Sequence, residues 1–383
     1  MRVLWGEIRK LLWWRNLLLV LAVGGIYYWV TVWGVTTAFP NGHPTAEDHQ
    51  HALAWHDEFG PRLEPADIEV LQSRLATLIA QADTLIAADP TLAAAGVTGW
   101  QAWAEREDAD AFGPEAERVL DELLYEPGGL GWRIQGMTGD LDRYQPRDNP
   151  EDMTPAQLTR TQEINRTEEW RSLQSGPLLD FLVEYLPPLA GLAFLASLLI
   201  SAPLVTTDRI SRLRPLQASS LTGRRLLRTQ LAATALVSIG VTGLLLLLTS
   251  VPLAGFGFGT FWDTPIQSFT ASYLYPAVTL GQYCWLLAGV VGLAGLLAGL
   301  IGFVLSRANR TYPTLAIGIM AVLAAGLPSL STLLTLPLTY YAPAAVLLGT
   351  PLAQPIALAA LAVLALTVGL AQVRRERRVD VEY

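Results

Sequence analysis

Four histidines, His43, His49, His51 and His56, fall within one 14-residue stretch beside Glu47, Asp48, Asp57 and Glu58, and the other residues of the 383 include no histidine. Imidazoles and carboxylates are the donors of zinc and related sites, but such sites set their ligands at fixed spacings on defined elements. His51 and His56 are five apart, which does not align them on one helix face. The stretch therefore reads as a solvated loop, with no metal assigned to it. Neither His-Glu-x-x-His nor Gly-x-Ser-x-Gly occurs in the chain, so metalloprotease and serine-hydrolase chemistry lack their motifs. The sole lysine, Lys10, lies between Arg9 and Leu11; no Gly-Lys-Ser/Thr phosphate loop exists, and any ATP would have to be bound by another chain. The single cysteine, Cys284, has no intramolecular partner for a disulfide. These residues predict a non-catalytic protein without a cofactor.

The elements around them are set by hydropathy. The composition is 51% hydrophobic and 16% charged, against about 25% charged in ordinary soluble domains. Charge is segregated along the chain. Residues 38–180 hold 27 acidic and 10 basic residues, while the other 16 basic residues flank long uncharged runs, the pattern of a polytopic membrane protein. Those runs are 16–46, 185–207, 229–262, 264–306 and 311–373. At roughly 20 residues per crossing, the first four cross once each. The last has Arg310 on one side and Arg374, Arg375, Arg377 and Arg378 on the other. Basic flanks at both ends require an even number of crossings, assigned to 313–331 and 353–373. The first apolar stretch, about 19 residues, exceeds the roughly 7 to 15 of a cleaved signal peptide and reads as an anchor. The predicted fold class is all-α: six transmembrane helices, both termini cytoplasmic, and a helical extracytoplasmic domain.

Residues 1–16 are expected to form a cytoplasmic interfacial helix, with Val3, Leu4, Ile8, Leu11 and Leu12 opposite Arg2, Glu7, Arg9 and Lys10. Span one follows at 17–38, the extracytoplasmic domain at 39–177, and the other five spans within 178–383. In that domain a stripe of Ile68, Leu71, Leu75, Leu78, Ala82 and Leu85 begins at Pro65 and ends near Pro90. A second helix begins at Pro114. A third begins at Thr154, where Thr154 and Gln157 have capping-box spacing and Pro155 takes the first helical position. The apolar segment 332–352, broken by Pro337, Pro343 and Pro351, is expected to dip into the interface as short half-helices whose backbone needs protein neighbours. Ala288, Gly292, Gly295 and Gly299 in span four make a small-residue face that permits close helix contact.

Three stretches carry a resemblance: GEIRKLLWWRNLLLVLAV at the amino terminus, TTDRISRLRPLQASSLTGRRLLRTQLAA across the loop at 208–228, and TLGQYCWLLAGVVGLAGLLAGLIGFVLSRANRTYPTLAIGI. The arrangement resembles the membrane subunit of a bacterial ABC transporter of the type-2 exporter class. In that family an acidic residue after span two precedes small residues, Gly-Arg and an aliphatic pair; Asp208, Ser219, Ser220, Gly223, Arg224, Leu226 and Leu227 match. Where many members have lysine next, this chain has Gln230. The resemblance implies a multi-pass subunit of the bacterial plasma membrane that pairs with a second permease copy, as homodimer or heterodimer. A separate ATP-binding subunit would dock on Asp208, Arg209, Arg212, Arg214, Gly223, Arg224 and Arg225 and on the amino-terminal helix, and no nucleic acid would be bound. The alternative function is a membrane sensor or immunity scaffold whose outer domain captures a peptide without moving it.

Overall fold

The computed structural model describes residues 2–106, 111–126, 128–147, 155–212, 223–269, 277–339, 342–350 and 352–378. Every regular element among them is a helix. The chain divides into two compact units, one of Met1–Thr37, Phe181–Phe256 and Gln282–Tyr383, the other of Ala38–Asp180 and Gly257–Gly281.

The first unit carries six helices long and apolar enough to cross a membrane: Trp14–Ala38, Gly176–Ile210, Leu226–Ala254, Leu280–Ala308, Tyr312–Leu333 and Ala353–Arg374. We label its elements α1 (Arg2–Leu11), α2 (Trp14–Ala38), α10 (Gly176–Ser201), α11 (Pro203–Ile210), α12 (Gly223–Ala254), α13 (Leu280–Ala308), α14 (Tyr312–Leu333), α15 (Pro343–Leu348) and α16 (Ala353–Arg378). α10 is the buried centre of the unit: its spanning stretch is covered on nearly every side, whereas the surfaces of α2, α14 and α16 stay largely open to the surroundings. That is the expected arrangement for apolar helices whose outer faces meet lipid and not water.

Among the described residues the segment 332–352 holds one short helix, α15. Its turns are held by protein, because the Gln354 amide accepts from Leu338 N at 2.6 Å and donates to Leu333 O and Thr335 O at 2.9 and 3.1 Å. Tyr283 adds a hydroxyl donated to Pro337 O at 2.8 Å. In α1, Glu7 does not lie on a polar outer face; it is buried together with Leu11, while Val3, Trp5 and Leu12 are exposed.

The second unit is built from α3 (Thr45–Phe59), α4 (Pro65–Ala88), α5 (Pro90–Ala94), α6 (Trp100–Ala104), α7 (Pro114–Leu124), α8 (Leu130–Leu141) and α9 (Pro155–Thr167). The helix starts at Pro65, Pro114 and Pro155 follow from proline's preference for the first turn. Thr154 lies outside the described residues; the capping box in this unit is at Glu64, whose backbone N–H donates to Asp67 at 2.8 Å. The apolar core joins Ala82, Ile86, Leu92, Trp100, Trp103, Leu120, Leu124 and Ile134 from α4 to α8. Residues 257–281, distant in sequence, complete the unit: Arg147 donates to Ser268 O at 3.0 Å, and His56 meets the Phe261 ring edge-on at 5.7 Å.

The histidine stretch is a correction. Thr45–Phe59 is the helix α3 and not a solvated loop, and its buried side includes Glu47, Asp48, His49, Ala52 and Trp55. It escapes a search for an apolar stripe because much of the buried face is polar.

Candidate functional site

The residues with the most constrained chemistry gather around α11. Pro203 lacks the N–H that would continue α10 and restarts the chain as a separate short helix. The new amino end is capped from another helix: Ser306 Oγ accepts from Val205 N at 2.9 Å and Thr206 N at 3.0 Å, and Thr206 Oγ1 donates to Ser306 O at 2.9 Å. This satisfies donors that a helix start otherwise leaves open.

At the other end of α11, Asp208 is 3% exposed. Lys10 Nζ from α1 lies 3.2 and 3.1 Å from its two carboxylate oxygens and 2.8 Å from Glu7 Oε1. Gln230, from the start of the span in α12, donates to Asp208 Oδ2 at 2.9 Å and to Glu7 Oε2 at 3.0 Å. Two buried carboxylates, one ammonium and one amide thus join α1, α11 and α12. Burial pulls the Lys10 ammonium toward neutrality, but its hydrogen bond to Glu7 and the charge of Asp208 outweigh that and raise its pKa above the ordinary value. A compact ammonium with three rotatable donors suits three carboxylate oxygens better than a planar guanidinium does.

The loop residues expected to dock a partner are placed as follows. Arg209 reaches across to the end of α13, donating to Asn309 O at 2.6 Å and Arg307 O at 3.2 Å. Arg212 is exposed, and its φ of 52° marks the chain's departure from α11. Arg214 lies outside the described residues. Gly223, Arg224 and Arg225 form the first turn of α12. Thr207 and Tyr312 bring their hydroxyls to 3.2 Å, tying α11 to α14. The cluster therefore unites Asp208 with Glu7, Lys10 and Gln230, whereas amphipathic patterning sends Glu7 and Lys10 to the outer face of α1. A signal existed: Glu7 is the sole acidic residue before Glu47, set three residues from the sole lysine.

In the second unit the four histidines do not converge. His43 pairs with Glu47 at 2.6 Å, His49 with Ser175 at 2.8 Å, His51 lies 3.7 Å from Asp140, and His56 packs on Phe261. Asp48 of α3 and Asp140 of α8 share Arg143, at 3.2 and 2.9 Å. Their helices close over Gly136, where a Cβ would lie 3.0 Å from Asp48 Oδ1. Burial, followed by the charge of Asp140, raises Asp48 to about 6 despite the opposing Arg143. Burial also raises Asp140.

Comparisons with protein-family models, with curated proteins and with solved structures return no match. The structure itself defines an all-helical chain with six helices suited to spanning a bilayer and a second helical unit inserted in the sequence.

Proposed function

We propose that this chain is the non-catalytic permease subunit of an ATP-driven exporter in a bacterial plasma membrane, acting as one of a pair of permeases served by separate ATP-binding subunits. The observation that carries the reading is the cluster of Glu7, Lys10, Asp208 and Gln230. The basic loop leaves at the end of α11 and returns at the start of α12, and α1 is clamped across both helices. A partner that grips this loop and α1 acts at once on spans one, two and three. Arg209, Thr206 and Thr207 extend the same linkage to α13 and α14.

The chain's topology supports the same reading. Ala38–Asp180 and Gly257–Gly281 belong to one unit, and two candidate spans lie between them in sequence, which fits a reading in which both would leave the bilayer on the same side. The basic flanks then lie on the other side, as the charge rule for cytoplasmic loops requires. ATP hydrolysis in the partner would shift the paired permeases between states and move an amphiphilic substrate outward.

The test is to tag the chain in its host, purify it in mild detergent and assay vanadate-sensitive ATP hydrolysis. A stoichiometric phosphate-loop protein with activity is the expected result, and a variant lacking residues 212–225 should insert normally yet lose coupling. Reproducible purification of the chain alone, without hydrolysis, would remove the energy source and leave the sensor scaffold.

A further inference from the structure

One face of α12 carries Gln230, Thr234, Ser238 and Thr242 at successive steps of four, all at most 2% exposed. This column starts at the Asp208 cluster and runs into the span. Opposite it, α13 presents glycine. A Cβ at Gly299 would lie 1.9 Å from Ser238 Oγ, and one at Gly295 would lie 2.1 Å from Thr242 Oγ1 and 3.3 Å from Ser197 Oγ of α10. The Ser238, Thr242 and Ser197 hydroxyls are therefore aimed at bare backbone across a three-helix seam, while Thr234 turns its methyl group toward Gly299, 3.6 Å from a Cβ there.

Hydroxyls in apolar helices ordinarily donate back to a carbonyl on their own helix. Elsewhere this chain does so: Thr31 to Tyr27 O at 2.8 Å, Thr36 to Val32 O at 2.9 Å, Ser201 to Ser197 O at 2.7 Å and Thr249 to Leu245 O at 2.8 Å. Ser197, Thr234, Ser238 and Thr242 do not; among the described residues their oxygens have no hydrogen-bond partner. Three of these donors, at Ser197, Ser238 and Thr242, lie against glycine backbone, and none of the four has an acceptor. Buried polar groups in that condition are rare and costly, and less so where the surface they face can be replaced by water.

We propose that this seam is the polar lining of a path that opens when α13 withdraws from α12, and that it takes water and the uncharged hydrogen-bonding part of the transported molecule. The inference rests on the permease reading and names its substrate class. The column offers hydroxyls that both donate and accept but no charge of its own; at its end stand the ionised groups of Glu7, Lys10 and Asp208. A seam of this kind favours hydroxyl- or amide-bearing groups over ions.

The experiment is thiol accessibility in the full-length chain, reconstituted in lipid vesicles and with Cys284→Ser as background. Ser238→Cys and Thr234→Cys are probed with a neutral, water-soluble methanethiosulfonate and with its trimethylammonium analogue. Ser73→Cys, on the exposed side of α4, serves as the reactive control, and Ala298→Cys, fully buried on α13, as the unreactive one. At least one seam thiol is expected to react with the neutral reagent about tenfold or more faster than Ala298→Cys, and about tenfold faster than with the cation. Rates equal to Ala298→Cys at both positions, in variants that melt as the parent does, would overturn the path. Equal rates with the cation would overturn the assignment to uncharged groups. Reactive seam thiols in a chain that recruits no ATPase would sink export and leave the seam; an ATPase with unreactive thiols would do the reverse.

Discussion

Lys10 is the residue on which the cluster's charge balance turns. Its ammonium spans Glu7 and Asp208, and Lys10→Met removes that positive charge from between two buried carboxylates that share the Gln230 amide. Because the lysine side chain is about a third exposed, the expected loss is discounted to about 1–3 kcal/mol, the cost of unsatisfied buried acceptors; thermal unfolding in detergent measures it. Gln230 touches the same two carboxylates. Gln230→Lys should therefore recover at least half of the stability lost in Lys10→Met, and no recovery would show that the ammonium's position on α1 matters beyond its charge. In the other unit, Asp48 holds its proton to about pH 6 when folded, against an ordinary value of 3.8. The native state thus binds more protons than the unfolded chain across that window, and this group makes the unit less stable as the pH rises from about 4 to about 6. Asp48→Asn should shrink the fall in melting temperature between about pH 4.5 and pH 7, although Asp140, raised in the same direction, keeps part of it. An unchanged fall would refute the assignment.

At the level of elements, the close approach of α12 and α13 depends on glycine. Gly299→Ala places a methyl group against Ser238 and should cost about 1–3 kcal/mol by overpacking. Paired with Ser238→Ala the cost should fall below the sum of the single effects, a coupling that a double-mutant cycle in unfolding experiments reads directly. The small-residue face of α13 was legible in the sequence because glycine spacing is explicit. Its partner was not: serine and threonine scarcely change hydropathy, so the column at 230, 234, 238 and 242 vanishes inside an apolar run. The six spans were legible for the converse reason, that length and charge flanks alone define them. Helix α3 was hidden because periodicity searches look for apolar faces, whereas α3 buries Glu47, Asp48 and His49. Within the cluster, Glu7 and Lys10 escape a sequence reading, since amphipathic patterning sends charges to water unless a distant partner is known.

Across the whole molecule, the least legible feature is the union of Ala38–Asp180 with Gly257–Gly281. The aromatic stretch between spans three and four gives no local indication of its partner; only the folded chain brings Phe261 to His56 and Thr264 to Leu173 O. This division has a consequence for the order in which the protein is made. When residue 180 leaves the ribosome the inserted unit still lacks its last piece, which arrives only after two further membrane helices, about 100 residues later. At roughly 5–20 residues per second the unit waits on the order of 5–20 seconds with the surfaces for Phe261, Ile266 and Ser268 uncovered. Nascent chains arrested with residue 256 outside the ribosome should accordingly be cut by protease within 38–180, and chains arrested beyond residue 281 should resist. Resistance at both lengths would mean that the unit closes without its late segment. Synthesis of this protein thus holds open a helical unit until half of its six candidate spans have been made.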